Sequence, residues 1–217
     1  MIVLVLNGRF KAQYYDDDAR LRLNVNLEKS YKNGMEYQLV LQNRLNNNMS
    51  EYHGYATAGI AYKFNKHFKL FGGYVAGGQR APDGNYSLIQ QVYGGVTLKQ
   101  KINKFTLVYR NLTQSQVKGE TPFRDQKTPT TFNRNKFTLK YQLNKRWQVY
   151  ASAEMYFTLS NKQKYATVGR TRNNLGLVYK LSKTTSIEPY FLYQKKNNFK
   201  DQSARHFIYC LTLNREF

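Results

Sequence analysis

The residues with the most chemical potential in this sequence are charged, and they recur at every second position. Arg20, Arg22 and Glu28 share one parity, while Ala19, Leu21, Leu23, Val25 and Leu27 take the other. Successive side chains of an extended strand point to opposite faces, so a period of two sorts them into a charged face and an apolar one. Along the chain the charged parity takes in Arg20, Arg22, Glu28, Glu36, Arg44, Lys63, Lys69, Arg110, Lys136, Lys140, Glu154, Arg170, Arg172, Lys180 and Glu188, eleven cations against four carboxylates. If that face encloses water it concentrates anions. If it is filled instead, Glu28, Glu154 and Glu188 pair with Arg20, Arg22, Arg170 and Arg172 in a polar plug.

Other chemistry is sparse. The three histidines are His53, His67 and His206. His53 and His206 fall on the charged parity, with Asp201 and Ser203 close to His206 in sequence. A membrane-embedded lipid hydrolase or acyltransferase is therefore the enzymatic alternative. No motif sets a nucleophile beside either histidine, so no catalytic residue is assigned. Glycine-rich phosphate loops and metal-ligand spacings are absent, and no cofactor or metal is expected. Gly72-Gly73, Gly77-Gly78 and Gly94-Gly95 lie inside strand patterns, where glycine relieves crowding. A single cysteine, Cys210, rules out an internal disulfide.

The 217 residues carry 34 Lys and Arg against 13 Asp and Glu, a net charge of +21. Strongly basic chains first suggest nucleic acid, and a soluble basic barrel binding it is a further alternative. Such a protein needs basic and aromatic residues together on one open face. Here they separate by parity, so nucleic acid is not an expected partner. No run reaches the roughly 18 apolar residues of a membrane helix, which leaves strands as the means of spanning a bilayer.

The elements that would position these residues read as eleven strands: 18–28, 35–44, 52–64, 68–79, 87–100, 105–113, 135–143, 147–159, 169–181, 185–196 and 204–217. Many match the roughly nine to eleven residues that a tilted strand needs to cross a membrane. Short turns at 32–34, 65–67, 101–104, 144–146 and 182–184 alternate with longer loops at 46–51, 80–86, 114–134, 160–168 and 197–203. Bacterial barrels sort their connections this way, short on the periplasmic rim and long on the extracellular one. Tyr31, Tyr37, Tyr62, Phe64, Phe68, Phe105, Tyr141, Trp147 and Tyr179 flank the short turns and predict one aromatic girdle. Tyr52, Tyr74, Tyr109, Phe157 and Phe207 predict the other. The last strand ends on Phe217, the kind of terminus read by the barrel-assembly machinery.

The pattern predicts a single all-β, antiparallel up-and-down transmembrane barrel in a Gram-negative outer membrane. Since single-chain bacterial barrels have even strand counts, about twelve strands are expected, with ten possible. The twelfth would lie in residues 2–14. Residues 1–13 read either as that first strand or as the remnant of a secretory signal, and 14–217 as the barrel domain. Outer-membrane lipid and lipopolysaccharide are the expected surroundings, with Lys118, Arg124, Lys127 and Arg134 of the longest loop placed to meet lipopolysaccharide phosphates.

The strand pair ending in Gln42, Asn43 and Arg44 resembles the outer-membrane barrel family called domain of unknown function 2490. So do the run Arg170, Arg172, Asn174, Leu175, Gly176, Leu177, Tyr179, Leu181 and the strand from Glu188 to Gln194. The resemblance covers roughly residues 18–217 and implies location and fold, with no activity attached. The functional expectation is a structural or narrow, weakly anion-selective porin-like barrel whose lumen is lined by Arg20, Arg22, Glu28, Arg44, Arg110, Lys140, Glu154, Arg170, Arg172 and Glu188.

Overall fold

The computed structural model describes residues 15–46, 51–80, 86–119, 129–159, 167–197 and 203–217. Every regular element among them is a strand: β1 (Tyr15–Ser30), β2 (Met35–Asn46), β3 (Glu51–Lys63), β4 (Phe68–Arg80), β5 (Tyr86–Ile102), β6 (Phe105–Gly119), β7 (Thr130–Gln142), β8 (Trp147–Thr158), β9 (Thr167–Lys180), β10 (Thr185–Asn197) and β11 (Ser203–Glu216). Each pairs antiparallel with its neighbours in sequence, and β1 pairs with β11 to close the sheet.

That closure differs from the expected even, wholly antiparallel barrel. In an up-and-down barrel with an odd number of strands the first and last run in the same direction, so their seam is parallel, here from Tyr15↔Ser203 to Glu28↔Glu216. Side chains reinforce it from within. Asn24 Nδ2 donates to Thr212 Oγ1 at 2.8 Å, and Asn26 Nδ2 to Asn214 Oδ1 at 3.1 Å. The proposed twelfth strand and the signal remnant lie outside the described residues.

Local chemistry shapes the short-turn rim. Asn65 Oδ1 accepts from the amides of His67 and Phe68, Asn144 Oδ1 from Arg146 and Trp147, and Ser182 Oγ from Thr184 and Thr185. Short polar side chains that bond the backbone two or three residues on are what reverse a chain tightly. Gly34 reverses the first hairpin at φ 89°, where a Cβ would also meet Lys63 O at 2.8 Å.

Two strands run further than the alternation implied. β6 reaches Gly119 and β7 begins at Thr130, so 114–119 and 130–134 belong to a ladder that includes Gln114↔Phe132 and Gln116↔Thr130. The outward residues there, Thr113, Ser115 and Asn133, are polar, and a reading keyed to apolar alternation stops where they begin. Asn111, Asn133 and Asn135 bond to one another on this outer face, and Tyr109 Oη donates to Asn135 Oδ1 at 2.6 Å. Their polar groups are thereby largely satisfied.

The apolar face points outward. Leu39, Leu139 and Leu211 are 41%, 49% and 44% exposed, which excludes a dry leucine core at the barrel centre. Rings gather at the short-turn rim in pairs: Tyr31 with Tyr37, Tyr62 with Phe64, Phe105 with Tyr141, and Trp147 with Tyr179 at 4.3 Å between centroids. The opposite girdle is less regular. Tyr52, Phe157 and Phe207 stand toward the long-loop end, whereas Tyr74 lies at the middle of β4 and Tyr109 in the short-turn half of β6.

Inside, four aromatic rings face glycines across the ladder: Tyr93 on Gly73, Tyr55 on Gly77, Phe71 on Gly95 and Tyr150 on Gly176. A Cβ at Gly176 would come within 2.5–2.6 Å of the Tyr150 ring and of nothing else that close. The bare glycine lets the ring lie against the wall, the device that also repairs weak strand glycines in sheets. Gly176→Ala will displace Tyr150 and cost about 1–3 kcal/mol of stability. Urea unfolding in lipid vesicles, followed by the fluorescence of the single Trp147, measures it.

Candidate functional site

The inward parity of the eleven strands brings together side chains from the whole chain. Register alone places Arg22 beside Arg44, Arg44 beside His53, Arg110 beside Lys136, Lys136 beside Glu154, and Glu154 beside Arg172. Arg20, Glu28, Lys140, Arg170 and Glu188 face inward on the same parity, as do Glu36 and Lys69.

Glu154, only 5% exposed, organises one wall. Its Oε1 accepts from Arg134 Nη2 at 2.8 Å and from Arg110 Nη2 at 3.0 Å, and Arg172 Nη1 stands 3.9 Å from Oε2. Arg134 also donates from Nε to the same carboxylate at 3.1 Å and from Nη1 to Gln114 Oε1 at 2.8 Å. Such charge-assisted bonds hold a planar guanidinium in one orientation. Beside them the Tyr156 ring carries three guanidiniums, those of Arg134 at 4.4 Å, Arg172 at 4.9 Å and Arg170 at 5.0 Å from its centroid. Arg172 Nη1 also donates to Tyr156 Oη, and its Nε to Gln194 Oε1 at 2.8 Å. A register shift on β9 opposite Tyr156 and Phe157 skips Gly169 and seats Arg170 across from Tyr156. Bulges re-aim side chains in this way.

Of the expected plug pairings, Glu154 with Arg172 is present, at 3.9 Å, while the shorter contacts go to other partners. Glu154 binds Arg110, Arg134 and Arg172. Glu188 accepts from Tyr150 Oη at 2.6 Å, and Glu36 holds Lys63 and Lys69 near the short-turn rim. The reason is geometric: cross-strand register and barrel curvature select partners that separation along the chain does not reveal. Arg134, assigned from sequence to a lipopolysaccharide-facing loop, points into the barrel. Arg124 and Lys127 lie outside the described residues.

Two cavities remain within the lumen. One, of about 520 Å³, lies toward the short turns and includes Glu28, Glu36, Lys69, Phe71, Tyr93 and Arg110. The other, of about 310 Å³, lies toward the long loops and includes Arg20, Arg22, His53, Tyr156, Arg170 and Arg172. Arg44, Tyr55, Gln91, Gln114 and Arg134 line both, and so form the girdle between them. Arg44 is held there with its Cζ 4.2 Å above the Tyr55 ring and its Nε donating to Gln42 Oε1 at 2.6 Å. Sequence reading missed Tyr55, Gln91, Gln114 and Tyr156 because an uncharged polar residue on a charged parity looks like filler. The available signal was tyrosine placed among arginines.

His53 and His206 are both buried on the inward side, His53 across from Arg44 and Gln79, and His206 across from Gln194. Asp201 lies outside the described residues.

Removing the Glu154 charge leaves three guanidiniums facing one another. Glu154→Gln will lower unfolding stability by about 3 kcal/mol. Glu36→Gln, whose lysine partners are substantially exposed, will cost about 1 kcal/mol or less. Paired urea titrations that rank the two variants the other way would refute this account of the lumen.

No curated protein matches the sequence. Among solved structures the chain is similar to a NanC porin, with a TM-score of 0.54 and 13% identity over 92% of this chain and 99% of that one. It is also similar to a bacterial polysaccharide outer membrane secretin, with a TM-score of 0.53 and 12% identity over 82% of this chain and 62% of that one. At these identities the likeness is one of fold, a porin-like closed β-barrel. Residues 20–205 match the family model described as Protein of unknown function (DUF2490), and the chain belongs to that family.

Proposed function

We propose that this protein is an outer-membrane pore with a preference for anions. The observation that carries the reading is the girdle. Arg44 and Arg134 flank the passage between two lumenal cavities, and no carboxylate is among the five residues common to both. Fixed positive charge lining a passage repels cations and raises the local concentration of anions. The apolar outer wall and the ring pairs at the short-turn rim support insertion in a bilayer, where apolar side chains meet hydrocarbon and aromatic rings the interface. Outer-membrane lipid and the lipopolysaccharide phosphates at the loop rim are its surroundings on this reading.

The two cavities favour a passage over a purely structural plug, because Glu154 gathers its arginines against one wall and leaves space beside them. An extended basic face for nucleic acid is disfavoured by the same geometry, since the arginines of both cavities look inward and the outer wall carries many exposed apolar side chains.

Heat-modifiable migration on gels together with outer-membrane fractionation tests the membrane reading, and its absence would sink it. In planar bilayers under a potassium chloride gradient the reversal potential will take the sign of chloride permeation. Arg44→Glu will reduce the chloride-to-potassium permeability ratio by about tenfold. A purified protein with no conductance steps would remove the pore.

A further inference from the structure

The two lumenal cavities differ in charge. Carboxylates and cations both line the short-turn cavity, whereas six arginines, Arg20, Arg22, Arg44, Arg134, Arg170 and Arg172, line the loop-side one without any Asp or Glu among its described lining residues. The carboxylate behind it, Glu154, is engaged by Arg110, Arg134 and Arg172. Arg22 and Arg44 are direct cross-strand partners, and like charges so placed are destabilising. Arg22 is only 8% exposed, and its Nε is buried with no hydrogen-bond partner. A buried charged donor left without an acceptor is costly and calls for an explanation, and at a cavity wall an acceptor from outside supplies one.

We propose that the loop-side cavity binds a compact multivalent oxyanion, a small molecule carrying two or more phosphate or carboxylate groups, with Arg22, Arg44 and Arg170 as its principal contacts. The proposal rests on the reading of the lumen as a water-filled passage for anions and names what that passage holds. Size sets the ligand class. About 310 Å³ is the room of roughly ten water molecules at about 30 Å³ each, enough for a small polyanion and too little for a folded chain. Chemistry sets it too. Guanidinium forks match the paired oxygens of phosphate and carboxylate, and one chloride cannot neutralise several of them. The forks are also held in advance, Arg44 against Tyr55, and Arg134, Arg170 and Arg172 against Tyr156, so binding orders little that is not already ordered.

The test is titration calorimetry of the purified full chain in detergent, with sodium pyrophosphate and trisodium citrate as separate probes at constant ionic strength in sodium chloride. Saturable binding of one molecule per chain is expected for at least one probe, and the one that binds identifies phosphate or carboxylate as the preferred group. The double variant Arg22→Gln/Arg170→Gln will weaken it at least tenfold, and Arg22→Lys, which keeps the charge but not the fork, will fall between. No saturable heat from either probe, or a double variant that binds like the parent, overturns the proposal. Should the double variant lose heat-modifiable migration, thermal unfolding of the parent decides. Pyrophosphate or citrate must raise its midpoint above that in sodium chloride of equal ionic strength, and no rise overturns the site. A barrel that prefers chloride to potassium yet binds neither probe sinks this proposal alone. One that binds a probe without preferring anions keeps the site and sinks the anion preference.

Discussion

Everything in this molecule depends on closing the sheet. A strand with an open edge exposes a row of unpaired amides and carbonyls, and a sheet that returns to its own beginning leaves none. The β1–β11 seam does this with fourteen residue partners in parallel register. Closure also converts a period of two into geography. What was one face of a ribbon becomes an interior shared by all strands, and the other becomes a largely apolar exterior. The asparagine contacts that bridge the seam from inside exist only because that interior is shared.

Within the interior the problem is crowding. Long cationic side chains, tyrosines and glutamates enter the same confined space from every direction. The structure relieves it with glycine opposite aromatic residues, which flattens the rings against the wall, and with a single carboxylate that draws three arginines to one side. Both devices preserve open volume. The bulge at Gly169 adds a third adjustment by placing Arg170 where the Tyr156 ring can face it. An interior filled by indiscriminate pairing of opposite charges would have no reason to gather six arginines around one cavity with no carboxylate among its described lining residues.

Charge is distributed along the axis as well as around it. Toward the short turns, Glu36 and its two lysines form a neutralising cluster. Toward the long loops no acid is among the described residues that line the cavity, and aromatic rings hold the guanidiniums in place. Cation–π contacts suit this position because they orient a guanidinium without cancelling its charge.

Several features could be read from residue order because they are local. Alternation such as Leu21, Leu23, Val25 and Leu27 against Arg20, Arg22 and Glu28 specifies a strand and which residues share a face. Asn65, Asn144 and Ser182 mark turns through bonds that span only two or three residues. The extent of β6 and β7 beyond the apolar band was hidden, since backbone pairing continues where outward hydrophobicity stops. Strand parity was therefore legible, and with it the inward side of Arg22, Arg44, Glu154 and Arg172. What only the closed barrel decided was distance across the interior: that Arg134 leaves the expected loop for Glu154, that Tyr156 faces three arginines, and that Arg22 meets Arg44 beside an acid-free cavity. Those relations depend on cross-strand register and curvature, and a local pattern contains neither.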